Sequence, residues 1–240
     1  MNNNNLSKEF LYQGFALILS IIIVHAFYVS LVRPEAVEII KEQQAMIAQD
    51  SNYVPERSFF VIIRDFEQEA CFILMLWALA IMTLKAQTAL NERKLLKNDL
   101  IPLQRGQTIK PENTDMYLRQ FENLDESQQE LLLPRVLSNG LKRFATTKNI
   151  QDVSTSTHTM IESEADRLES ELSMIRYIAW AIPSIGFIGT VRGIGAALSL
   201  AHQAVDGDIS GVTQNLGIAF NSTFIALLIS IVIIFMVHQL

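Results

Sequence analysis

The sequence predicts an all-α polytopic membrane protein with four transmembrane helices and a helical domain outside the hydrocarbon. Three observations predict it. Half of the 240 residues are apolar, and the mean hydropathy is +0.24. The apolar residues gather in blocks suited to a hydrocarbon core of about 30 Å, which takes about 20 residues of helix to cross. Glycine and proline number only 10 and 6, as suits a chain of helices that either residue would weaken.

Residues 1–14 form a polar head with four consecutive asparagines, expected to be a disordered or surface-bound tail. The first span is 15–32. It is longer than a signal-peptide core, and its flank, Arg33-Pro34-Glu35, offers no small-residue cleavage site, so it reads as a retained span. The segment 33–58 is a polar loop punctuated by Pro34 and Pro55, with a short amphipathic helix over 36–48. An apolar run, 59–63, and a charged run, 64–69, precede the second span at 70–84, which Lys85 closes. That span is short, so it must extend into the preceding segment, bringing Glu67 or Glu69 near the interface. Residues 15–85 thus form a first helix pair.

Residues 86–176 are predicted to be a helical domain in the polar phase. It opens with a charged helix over 89–98, then a loop around Pro102, Gly106 and Pro111, more helix over 115–124, and a segment around Pro134 and Gly140. From about residue 150 the helical pattern is unbroken. Ile161, Ala165, Leu168, Leu172, Ile175, Ala179 and Ile182 alternate steps of four and three, a heptad seam that runs into the third span at 177–201. Pro183 is a place for a kink. A polar turn, 202–210, leads to the fourth span at 212–237, so that 177–240 is a second helix pair.

Lys and Arg in the connections set the orientation. The 86–176 segment carries Arg93, Lys94 and Lys97 after the second span and Arg167 and Arg176 before the third, whereas the 202–210 turn carries only Asp206 and Asp208. The large segment is therefore expected in the cytoplasm with both termini, and 33–58 outside.

Several function classes lose their support. The net charge is −6, and no basic stripe with interleaved aromatics points to nucleic acid. The single cysteine, Cys71, lies in an apolar run and reads as a small buried hydrophobe. His25, His158, His202 and His238 are scattered without metal-ligand spacing, and there is no P-loop or GxGxxG. No nucleophile–base pair is visible, so the chain is not expected to be an enzyme and no cofactor or metal is expected. The acidic cluster Glu162, Glu164, Asp166, Glu169 and Glu171 reads as a solvated helix face, with a cation-attracting funnel as the lesser alternative.

The chemistry that remains lies in the last two spans. At about 100° per residue, Gly186, Thr190, Gly193 and Ala197 fall within about 60° of one another. Ala219, Thr223, Ala226, Leu227 and Ser230 form a similar face on the fourth span, with Ser222 to one side. Small residues at such spacing admit another helix backbone. A hydroxyl amid small residues also suits an ion path, against the plainer reading of a packing seam with hydroxyls bonded to their own backbone. Arg192 is a costly intramembrane charge. It either pairs with a carboxylate of a neighbouring helix, snorkels to head groups or faces water. No acidic residue lies in the core of any span, so either protons are not carried or a partner supplies the carboxylate.

The run Ile185-Gly186-Phe187-Ile188-Gly189-Thr190-Val191-Arg192-Gly193-Ile194 resembles the GLFGTVWGI run of the MotA/TolQ/ExbB family of ion-driven motor subunits. Gly217-Ile218-Ala219-Phe220-Asn221-Ser222-Thr223-Phe224-Ile225-Ala226-Leu227 is similar to its EALIATAIGL run. The resemblance covers 177–240, and two spans before the cytoplasmic segment give a MotA-like count. Arg192 stands where many relatives have an uncharged residue, and Ile218 stands near an acidic position of the family. The resemblance implies a pentameric ring around the single transmembrane helices of a two-copy MotB/TolR/ExbD-type partner, whose Asp carries the ion. It implies a bacterial inner-membrane rotary motor driven by ion motive force, with the proton as the expected ion. Thr190 and Thr223 would line the path with Ser222 and Ser230. Gly186, Gly193, Ala197, Ala219 and Ala226 would admit the partner helix. The alternative is a non-conducting membrane scaffold or signalling subunit in which the threonines only pack.

Overall fold

The computed structural model describes residues 3–49, 53, 56–97, 100–101, 103 and 106–239. Pro55, Pro102 and Asn98, expected as loop punctuation and a helix end, lie outside them, as do the first two residues of the polar head. All regular structure among the described residues is helical. Four helices are long and apolar enough to cross a membrane. The chain divides into two compact units, Met1–Thr83 with Ile175–Leu240, and Leu84–Met174.

The first unit begins with α1, Asn3–Phe27, a π-helical turn, Tyr28–Val32, and α2, Arg33–Gln49. Two expectations are corrected here. The polar head is helical from Asn3, because a long apolar helix propagates cheaply once nucleated and the Trp77 indole N–H holds the Gln13 carbonyl at 2.9 Å. Nor does Pro34 break the helix that carries the first span: it continues unbroken from Leu11 to Gln49. The π turn explains the passage. Arg33 N–H reaches back to the Tyr28 carbonyl, a five-residue register that precedes a proline needing no N–H bond of its own. Ala16, Ser20, Val24, Tyr28, Val32 and Ala36 are all buried at four-residue steps. On a straight helix that stripe drifts by about 40° per step, and the wider π turn offsets part of the drift.

A short helix, α3, Phe59–Ile63, and α4, Phe66–Leu95, follow. The helix that carries the second span begins earlier than residue 70, with Glu67 and Glu69 in its first turn. Farther on, α8, Ile150–Ser199, is one helix containing Pro183. A brief α9, Ala201–Val205, and a turn at Gly207 (φ 97°) lead to α10, Ser210–Gln239. Large apolar side chains such as Phe15, Ile22, Phe187, Phe220, Phe224 and Ile231 are exposed, the surface a membrane chain gives to lipid or neighbouring subunits.

In the second unit, α5, Thr114–Glu122, α6, Glu126–Gln129, and α7, Leu132–Thr147, are joined by the first part of α8. Tyr117, Phe121 and Leu141 are its buried centre, packed by Ile109, Leu124 and Leu137 among others. The Glu92 carboxylate accepts the Leu132 N–H at 2.6 Å and so satisfies an orphan donor at the start of α7. Lys148 ends α7 in the left-handed region (φ 54°), its N–H on the Phe144 carbonyl. Asn149 Oδ1 then caps the Gln151 N–H at 2.9 Å to start α8. The acidic cluster is not uniformly solvated: Glu164 is buried and paired with Arg135 and Arg167, and Glu171 with Lys85 at 2.7 Å and Arg167 at 3.3 Å. The heptad seam is used unevenly. Ile175, Ala179 and Ile182 are buried, while Ile161 and Leu168 stay 47% and 44% exposed in the single chain.

Candidate functional site

The α8 and α10 faces that carry the two threonines meet each other. A Cβ added at Gly193 would stand 2.7 Å from Ala219 Cβ and 2.9 Å from Ala219 Cα and N. One at Gly186 would run into Ala226 Cβ and lie 3.1 Å from the Ser222 carbonyl oxygen. Gly186, Gly193, Ala219 and Ala226, expected to admit a partner helix, thus have a use within the chain: they bring α8 and α10 to near backbone contact. Ala197 is buried on the same face of α8.

This close approach places Thr190 and Thr223 side by side, both half-buried, with their hydroxyls hydrogen-bonded to each other. Thr190 Oγ1 also lies 3.1 Å from the Ala219 carbonyl and 3.3 Å from its own-helix carbonyl at Gly186. Thr223 Oγ1 lies 3.1 Å from that same Gly186 carbonyl, across the helix pair. Each hydroxyl has one hydrogen. Either hydroxyl can donate its hydrogen to a backbone carbonyl, which leaves its oxygen free to accept. With one hydrogen turned inward, the pair closes on itself. The Thr190 side chain can therefore exchange acceptors without any backbone change.

Ser222 and Ser230 are placed differently. Ser222 is buried, donates to the Ile218 carbonyl of its own helix at 3.0 Å and faces Gly189. Ser230 is buried and donates to the Ala179 carbonyl at 3.1 Å, a strut between α10 and α8 away from the threonine pair.

Of the three readings of Arg192, the structure selects the carboxylate pair. Its Nε donates to Glu67 Oε1 at 2.6 Å and its Nη2 to Glu67 Oε2 at 2.8 Å, the two-pronged geometry that a guanidinium makes with a carboxylate. Glu67, in the first turn of α4, is thereby held against Arg192, two residues along α8 from Thr190.

A polar cluster missed from the sequence lies next to Glu67 in the chain. Glu69, buried in the first turn of α4, binds His25 Nδ1 of α1 at 2.7 Å and the Arg33 guanidinium of α2. Gln68 is wholly buried between the Ile62 carbonyl, 3.1 Å away, and Ser222 Oγ, 3.4 Å away. Burial pushes the Asp65 carboxyl up from its ordinary value, against the lowering pull of Arg64 and Arg192. The signal was present as the run Arg64-Asp65-Phe66-Glu67-Gln68-Glu69, charged residues wedged between two apolar blocks. Among the described residues no group of His, Cys, Asp and Glu is arranged to hold a metal ion.

No curated protein and no solved structure matches the chain. Residues 128–240 match the MotA/TolQ/ExbB proton channel family, a longer stretch than the 177–240 on which the resemblance was first visible. The matched stretch carries Thr190, Arg192, Ser222 and Thr223 on two of the chain's four membrane-length helices, and over it the chain is similar to the MotA/TolQ/ExbB proton channel family.

Proposed function

We propose that the chain is an ion-conducting ring subunit of a bacterial inner-membrane rotary motor, with Thr190 and Thr223 on the ion path. The observation that carries this reading is the hydroxyl pair between α8 and α10, whose oxygens can present lone pairs to a passing proton or cation while backbone carbonyls hold their hydrogens. The similarity to the MotA/TolQ/ExbB proton channel family over 128–240 supports it. Family members work with single-span partners. We infer a MotB/TolR/ExbD-like partner, in two copies, inside a pentamer of this chain, supplying the intramembrane Asp. The Lys and Arg distribution supports cytoplasmic termini. The seam left exposed at Ile161 and Leu168 suits contact with a neighbouring copy.

The test replaces Thr190 or Thr223 by Val, which keeps the shape and removes the hydroxyl. Ion flux through the chain co-assembled with its partner in lipid vesicles stops in both variants, with assembly intact. Unchanged flux in both would sink the pathway assignment. One observation favours the rival reading, a non-conducting scaffold: the small-residue faces are spent within the chain, as packing alone would require. A scaffold would show no flux in the wild type.

A further inference from the structure

We propose that Glu67 is a cation-binding carboxylate of this chain, and that the Arg192 guanidinium is its resident countercharge, displaced when a monovalent cation arrives. Its part in conduction rests on the ion-path reading of Thr190 and Thr223.

The pair is asymmetric. Glu67 is 11% exposed and Arg192 51%. The carboxylate is fixed in the first turn of α4 against Gly189, where an added Cβ would stand 3.1 Å from Glu67 Cγ. The guanidinium sits at the end of a long, half-exposed side chain and can leave for water or head groups. The carboxylate cannot follow. An enclosed carboxylate without a partner is strongly disfavoured, more so in a membrane. Another cation must then take the guanidinium's place, or the guanidinium stays.

The surroundings offer such a cation more oxygen. Ser222 Oγ would stand 2.7 Å from the same Cβ at Gly189, so Ser222 and Glu67 both close on that glycine, and Thr190 is the next residue. Gln68 adds an independent sign. It is 0% exposed, its amide nitrogen is directed to the Ile62 carbonyl and Ser222 Oγ, and its Oε1 has no hydrogen-bond partner among the described residues. A buried carbonyl oxygen without a donor marks a place for a water or an ion. Carboxylate, amide carbonyl and hydroxyl are hard oxygen donors, which suit a proton or a sodium ion and offer nothing to a soft metal. Arg192 from α8 faces Glu67 directly, and Arg64 and Asp65, 3.7 Å apart, stand in the link before α4. Glu69, His25 and Arg33 are engaged with one another.

The test uses the purified full chain in lipid vesicles, a hydrophobic carbodiimide that reacts with protonated carboxyls, and peptide mass spectrometry at Glu67. Little modification is expected in the wild type at neutral pH. In Arg192→Gln it rises about tenfold or more, the scale set by losing a charged, two-pronged hydrogen bond. Arg192→Lys keeps the charge without the fork and gives an intermediate level. If Arg192→Gln does not fold, the excess of Arg192→Lys over the wild type decides the same question. Two arms identify the occupant. Modification in the variant that falls as sodium replaces choline at fixed pH identifies sodium, and modification that rises as pH is lowered, indifferent to sodium, identifies the proton. Glu67 unreactive in both variants under all conditions, or equally reactive in wild type and variants, would overturn the proposal. Conduction by both Thr190→Val and Thr223→Val at the wild-type rate would remove the path reading and leave the cation site standing. Blocked conduction with an inert Glu67 would remove this inference alone.

Discussion

Replacing Gly193 by Ala adds one methyl group at the closest approach of α8 and α10. The added Cβ would meet Ala219 Cβ at 2.7 Å and Ala219 Cα and N at 2.9 Å. Two of these three atoms are backbone, so the overlap is relieved only by moving a helix. Overpacking of this kind costs about 1–3 kcal/mol. Ala is also a better helix former than Gly by about 1 kcal/mol, which masks part of that loss. The useful quantity is therefore the difference from Gly195→Ala, two residues along the same helix, where an added Cβ meets nothing within 4 Å. The propensity gain is common to both variants, and Gly193→Ala should be the less stable by about 1–3 kcal/mol, roughly 5- to 150-fold in the unfolding equilibrium. Reversible denaturation of the purified chain in mixed micelles, followed by helical circular dichroism, measures it. The partners make the test sharper. Ala226→Gly should rescue Gly186→Ala, whose nearest obstacle is the Ala226 side chain, whereas Ala219→Gly should leave Gly193→Ala impaired, because the backbone remains in the way. Equal stability of Gly193→Ala and Gly195→Ala would refute the seam.

Two further predictions concern the ends of elements. Lys148, held at φ 54°, is a residue that glycine would replace without strain, so Lys148→Gly should stabilise the second unit by about 1 kcal/mol in thermal unfolding. No gain would mean that the side chain matters there. The Asp208 carboxyl is held below its ordinary value by the Ser210 hydroxyl at 2.5 Å and the Ser210 N–H at 3.0 Å. A lowered folded-state value contributes stability above the ordinary carboxylate range, lost as the pH falls through the folded value. Its titration, followed by carbon-13 resonance, should move up in Ser210→Ala, and an unmoved midpoint would remove the hydroxyl from the account.

The four spans were legible because apolar length is a strong signal and the membrane allows few alternatives. The α8–α10 pair was legible too, since glycines, alanines and threonines at helical spacing declare a close-packed face. What was hidden depended on tertiary placement. Pro34 reads locally as a stop, and only the π turn before it, built by Tyr28, Val32 and their neighbours, carries the helix through. Glu67 and Glu69 looked like interface residues at the edge of a short span. Their partners, Arg192, His25 and Arg33, lie 125, 44 and 36 residues away, and no periodicity links them. The acidic face of α8 misled for the same reason: Glu164 and Glu171 share spacing with solvated acids, yet find Arg135 and Lys85 on other elements.

The proposed ion path requires that the hydroxyls of Thr190 and Thr223, rather than the shape of their side chains, carry the ion. Flux should be compared in vesicles holding the chain and its partner with both threonines changed to Ser and with both changed to Val. The account predicts that the serine pair conducts, because the oxygens remain, and that the valine pair, closer in shape to the wild type, does not. Conduction by the valine pair would contradict it.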